Sequence, residues 1–216
     1  MDGEAEHGAT RPAGALGPWL AAFDRALLGE TDADVPCDGC TACCSSSQFV
    51  HVGPEEHDAL AHIPGALLFP APGLPAGHVL LGYDQQGRCP MLVDGACSIY
   101  EHRPRTCRTY DCRVFPASGL VLDTDDKQLI SARSREWRFD VATEGDEVEH
   151  AAVRAAAAFV RDRGHELPAE VRPPTTTQRA VAAVALRRLF VGPAGTSVVP
   201  SPAEVAVALR RRRPTT

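Results

Sequence analysis

The sequence predicts an α+β protein: a small, loop-rich, metal-stabilised cysteine domain with a short β-hairpin or meander, followed by packed α-helices. Three observations predict it. All eight cysteines of the 216-residue chain fall between positions 37 and 112. The strongest hairpin signal, Asp94-Gly95, lies among them, because that dipeptide tolerates the positive φ angles of a tight turn. Beyond position 119 cysteines are absent, and alanine-rich segments with helical periodicity take over.

Taken in order, residues 1–16, rich in Gly, Ala and Glu, read as a disordered lead. Pro18 suits a first helical turn, and Trp19, Leu20, Phe23 and Leu27 share one side of a helix that Gly29 can stop. The run CDGCTACCSSS, residues 37–47, is too rich in Gly, Cys and Ser for regular structure and reads as a loop. A short strand is expected at 48–52, and a helix at 54–61 carries acidic residues in its first turn, where the helix dipole favours them. Four prolines and three glycines predict a loop over 64–77. Strands are expected at 78–83, 88–93 and 96–99, the last two joined by a type I′ turn, and 100–113 reads as two short helical pieces broken at Pro104. Further on come a strand at 120–122, a region around Trp137 that suits either helix or strand, and helices at 146–163, at 175–189 and behind the Ser201 cap. By composition the chain divides into the lead, a cysteine-cluster metal-binding domain over 17–118 that includes the first helix, and a mainly helical region over 119–216.

Charge and hydropathy narrow the function. A net charge of -6 and a pI near 5.7 supply no field to draw in nucleic acid or an anionic membrane. The acidic start has no apolar run of signal-peptide length, and no stretch is long enough to span a bilayer, so a cytoplasmic location is expected. Thiols there are kept reduced, which favours metal ligation over disulfides. Buried unligated thiols explain one or two cysteines, not eight.

The candidate metal ligands are Cys37, Cys40, Cys43, Cys44, Cys89, Cys97, Cys107 and Cys112. Their first half has the pattern C-x2-C-x2-C-C. A Cys-x2-Cys turn brings two sulfurs to one metal at about 2.3 Å each, the spacing of zinc knuckles and of iron-sulfur loops. Zinc and a four-iron cluster both take four thiolates, so eight cysteines fit two sites of either kind or one of each. Adjacent Cys43 and Cys44 project differently, so the doublet reads as a junction between centres, or as the flank of one binuclear centre. In the hairpin Cys97 faces Leu92, and Cys89 lies three strand residues further, about 10 Å away. Either those two cysteines serve different sites, or Pro90, which cannot donate to the ladder, breaks the strand and lets Cys89 swing in.

Four-thiolate sites carry negative charge, and Arg103, Arg105, Arg108 and Arg113 interleave with the last two cysteines as candidate compensation, a solvated helix face being the alternative. His51, His57, His62 and His102 read as surface histidines, His51 being the first to test as an extra ligand. Tyr100 and Tyr110 read as amphipathic rings packed over the cluster. No phosphate loop, dinucleotide fingerprint, zinc-protease motif or nucleophile elbow is present, and no catalytic residue stands out.

CDGCTACC together with CPMLVDGACSIYEHRPRTCRTYDC resembles the YkgJ-type cysteine-cluster proteins, over about Cys37 to Phe115. The more specific block is Cys97-Ser98-Ile99-Tyr100, Arg103-Pro104 and Cys107-Arg108, which matches that family's C-x-I-Y-x-x-R-P-x-x-C-R string. The resemblance implies a CxxCxxCC domain that chelates zinc or iron through the eight cysteines. A related block in bacterial flagellin lysine methylases implies the alternative, an iron-sulfur redox or protein-modifying enzyme. The leading expectation is a cytoplasmic metalloprotein whose zinc, iron or iron-sulfur centre helps fold the domain, with an unidentified protein as partner rather than nucleic acid or a membrane.

Overall fold

The structure is a computed structural model that describes residues 10–33, 35, 39–122 and 125–211. The chain forms two compact units, each assembled from separate stretches: Met1–Asp24, Cys112–Leu122 and Ser134–Thr216 make the first, Arg25–Asp111 and Asp123–Arg133 the second.

In the first unit Arg11–Ala15 (β1) runs parallel to Trp137–Asp140 (β7), with a bulge between Pro12 and Gly14. These five residues fall in the stretch expected to be disordered. Their order comes from a partner more than a hundred residues away, which local composition does not report: Ala13 is buried, and Arg11 Nε donates to Glu136 at 2.9 Å. Residues 1–9 lie outside the described part. The helix α1, Leu16–Leu28, follows directly. Trp19, Leu20 and Phe23 are buried as expected, but Ala26 rather than Leu27 completes the stripe, Leu27 being 40% exposed. Gly29, at φ 80°, ends the helix, as its N–H reaches Ala26 O and that of Glu30 reaches Arg25 O.

The helical layer of this unit is built from α4 (Val114–Ser118), α6 (Glu144–Asp162), α7 (Thr176–Leu186) and α8 (Pro202–Arg211). Its starts follow the sequence rules. Thr143 accepts the N–H of Asp146, Thr175 and Gln178 form a capping box, and Ser201 and Glu204 bond reciprocally. Small side chains make the contact face: Ala152, Ala156 and Ala157 on α6 and Ala180 and Ala183 on α7 are buried, with Val153, Val160, Leu186 and Phe190 filling around them. The strand expected at 120–122 does not form. Gly119, at φ 72°, closes α4 onto Phe115 O, and Leu120 and Leu122 are buried in irregular chain instead. Around Trp137 both readings hold in turn, since α5 (Gln128–Glu136) ends where β7 begins.

The second unit holds an antiparallel sheet of order β2-β4-β3, from Val50–Val52 (β2), Val79–Leu81 (β4) and Leu68–Pro70 (β3). β3 lies inside the segment expected to be all loop. It is a three-residue edge strand, where Pro70 opposite Val79 is tolerated because its missing N–H falls on the outer side. A two-residue hairpin, β5 (Leu92–Val93) and β6 (Ala96–Cys97), and two short helices, α2 (His57–His62) and α3 (Arg105–Thr109), complete the unit. One cluster of its core is small: Val50, Val52, Ala59, Ile63, Leu81, Met91 and Ile99, with half-buried Cys89 and Cys97 packed against it.

Candidate metal centre

The hairpin sets the first two thiols. Asp94 at φ 49° and Gly95 at φ 77° are both left-handed, the type I′ turn that Asp-Gly predicts, and Leu92 pairs with Cys97. The upstream strand then stops two residues after Pro90 rather than running back to Arg88. Cys89 lies in a tight turn whose carbonyl accepts the N–H of Leu92 at 2.9 Å. Pro90 therefore does break the ladder. The backbone N–H groups of Met91 and Leu92, which follow Cys89 in the turn, favour its thiolate form.

A third thiol is added through the backbone, as Cys89 N–H donates to Cys44 O at 2.7 Å. Cys44 sits in a 3-10 turn, Cys43–Ser45, where successive residues point about 120° apart, so the doublet faces two ways. The cysteine loop around it is strapped in place. Ser47 N–H donates to Gly87 O at 2.8 Å, and Lys127, the only lysine, donates to the Ser46 and Ser47 carbonyls. The fourth thiol, Cys107, comes from α3, which is tied to β2 by Thr106 Oγ1 donating to His51 O at 2.8 Å.

These four sulfurs stand near enough to oppose one another's ionisation. Burial pushes the Cys89 thiol up, and Cys97 adds to it. Cys107 is pushed up to about 12, first by desolvation and then by Cys44, Cys89 and Cys97, against a small opposing pull from Arg103. Cys107 is exposed as a residue; the enclosed part is its sulfur. Among the described residues no three of the sulfurs lie within 4.8 Å of one another. Cys40, Cys89, Cys97 and Cys107 are free thiols.

The remaining cysteines are distributed differently. Cys40 and Cys43 are half-buried on the same loop, and Cys37 lies outside the described residues. Cys112 belongs to the first unit, buried, with its sulfur accepting Trp137 Nε1–H at 3.2 Å. The arginines also separate. Arg103 stacks over the Tyr100 ring at 4.0 Å and is the one whose charge eases Cys107 ionisation. Arg105 donates to Ala26 O, Arg108 reaches Asp32 at 3.5 Å, and Arg113 is buried in the first unit on Ala13 O. Tyr100 is 52% exposed, so it covers Arg103 rather than the thiols. His51 pairs with His78 across the sheet at 2.9 Å.

Residues 36–134, just under half of the chain, match the CxxCxxCC family, described as "Putative zinc- or iron-chelating domain". This segment is a CxxCxxCC domain. Metal binding, read above from cysteine number and spacing, is the property that description shares. The CxxCxxCC segment contains all eight cysteines and the Lys127 strap, and it ends inside α5. No curated protein and no solved structure matches the chain. No described helix is long and apolar enough to cross a membrane.

Proposed function

We propose that the CxxCxxCC domain is a metal-binding module in which Cys44, Cys89, Cys97 and Cys107 hold one zinc or iron centre, and that this centre is structural. The observation that carries the reading is the Cys89 turn, where Cys89 N–H donates to Cys44 O at 2.7 Å and the backbone N–H groups of Met91 and Leu92 favour the thiolate. Such donors stabilise a thiolate bound to a metal far more than a neutral thiol. The chemistry of the set fits: four soft sulfurs match zinc or an iron-sulfur centre. Arg103 supplies compensating charge, and Arg108 Nε is buried without a hydrogen-bond partner among the described residues, a donor that a negatively charged centre would use. Four protein thiolates fill a tetrahedral shell and leave no position for substrate, which favours an adaptor or binding module over a catalytic metal. Cys43, on the other side of the doublet, is left with Cys40 of the same loop as the start of a second thiol set.

Anaerobic purification followed by metal, sulfide and visible-absorption analysis tests this. Stoichiometric zinc in a colourless protein, or iron with visible absorption, is the expected result; a folded chain with less than a tenth of an equivalent of either would overturn it. Affinity should also follow pH. Binding displaces the Cys107 proton, which the free thiol keeps up to about 12, so each pH unit of acidification costs about tenfold in affinity for that proton alone, and more for the other thiols. Competition with a chelator of known proton affinity at pH 6, 7 and 8 reads that slope.

A further inference from the structure

A second ligand set lies apart from the sulfurs, on the face of the second unit made by α2 and the turn Tyr100–His102. Asp58 and His62 are four residues apart on α2 and so share a face, and His102 joins them from 44 residues along the chain. One donor atom from each of the three lies within 4.8 Å of the others. His102 Nδ1 is 2.8 Å from Asp58 Oδ2, and His62 Nδ1 is 3.6 Å from Asp58 Oδ1. The two imidazoles are stacked face to face, with centroids 3.6 Å apart and planes 2° from parallel. Asp58 holds both stacked rings, His102 through its carboxylate and His62 through its main-chain carbonyl, which bonds His62 Nδ1 at 2.8 Å. His102 holds the Asp58 carboxyl below the ordinary carboxylate range, and Arg108 and His62 add to this.

Two imidazole nitrogens and one carboxylate oxygen suit zinc and the other first-row dications, not magnesium or calcium, which take oxygen shells. Around zinc such donors lie about 3.3 Å apart, as follows from bonds of about 2.0–2.2 Å at tetrahedral angles. The three donors stand within 4.8 Å of one another, with His102 Nδ1 2.8 Å from Asp58 Oδ2 and His62 Nδ1 3.6 Å from Asp58 Oδ1, so a small closure reaches that spacing. Exposures of 67% for Asp58, 41% for His62 and 40% for His102 leave the set open to solvent. Three protein donors leave at least one coordination position for water or an external ligand.

We infer that Asp58, His62 and His102 form an exchangeable site for a first-row transition-metal dication, chemically distinct from the thiol centre. On binding, the protons on His102 Nδ1 and His62 Nδ1, which bond the Asp58 carboxylate and main-chain carbonyl, leave those nitrogens, passing to Nε2 of a neutral ring or to solvent from a charged one, and the ion takes their place. The nearby positive charge of Arg108 weakens the site, which fits an ion that comes and goes rather than one built into the fold. This site stands whether or not the sulfurs hold metal.

The test is equilibrium dialysis of the full chain, as isolated, against Co2+ at neutral pH. The expected result is about one further Co2+ per chain with weak visible bands and no sulfur-to-cobalt charge transfer. His62→Asn/His102→Asn should lose this ion, and Asp58→Asn should bind at least tenfold more weakly, the metal present on isolation being unchanged in both. In the wild-type chain, sub-stoichiometric Co2+ should perturb the ring signals of His62 and His102 before those of the other six of its eight histidines. No further ion, a further ion that the double variant keeps, or first perturbation of other histidines would overturn the assignment.

Discussion

Cys89→Ser should remove one metal ion per chain and leave the second unit open to protease between about residues 39 and 111. Serine keeps the shape but replaces a soft thiolate with a hydroxyl that does not ionise at neutral pH, so the ligand is lost while the packing is nearly kept. The effect is large because metal binding and folding share one free energy, about 10–16 kcal/mol for structural zinc in small domains. The unit has little to fall back on. Its sheet strands are three residues long, its hairpin strands two, and the core cluster beneath the thiols holds seven buried side chains, several of them small. Limited proteolysis with metal analysis on the same samples reads both consequences.

Shared use of one centre gives the sharper form of this prediction. Cys44→Ser should lose the same ion, and Cys44→Ser/Cys89→Ser should lose no more than either alone, since residues acting on one site are not additive. Cys43→Ser, one residue away, should leave that ion in place. Full additivity of the first pair would place Cys44 and Cys89 in different centres, and loss of the same ion on replacing Cys43 would put both members of the doublet on one centre.

What the sequence made legible were the features with short reach. Asp94-Gly95 specifies its turn through two backbone angles, Pro90 stops a strand by lacking an N–H, and Thr175 and Ser201 cap helices three residues downstream. The thiol set was legible as types and spacing. Its grouping was not, because Cys44 and Cys107 meet the hairpin through tertiary packing that no period encodes. The same holds for β1, whose partner β7 is a distant strand, and for the way stretches from three parts of the chain alternate between two units. The Asp58-His62-His102 set shows the limit most plainly. Its first two members are four residues apart on one helix, but the third arrives 44 positions later on a turn without periodicity, so His62 and His102, which read as separate surface histidines, join Asp58 as one set only in the fold.

The first unit offers the other large effect, from a buried cation. Arg187 is 3% exposed; its Nη1 and Nη2 donate to the two oxygens of Asp24 at 2.9 and 2.8 Å, and its Nε donates to Glu149. It falls near the end of the helix expected at 175–189. In the structure it is bidentate on one carboxylate and shared with a second, a geometry lysine cannot reproduce. The two carboxylates are themselves only 19% and 34% exposed at the side chain, so removing the guanidinium leaves two anions with reduced access to water, Asp24 keeping only the exposed Arg188 at 3.3 Å. Arg187→Ala should therefore destabilise the unit by about 3–5 kcal/mol, the range for breaking a buried pair by deleting one partner. Both tryptophans, Trp19 and Trp137, belong to this unit, so their fluorescence in a urea titration reports its unfolding. The control is Arg187→Met with Asp24→Asn and Glu149→Gln, which removes the cation and both anions together. If charge left behind is the cause, the triple variant should recover at least half of the loss; if Arg187→Met alone unfolds at the wild-type urea concentration, the ion pairs contribute nothing and the account fails.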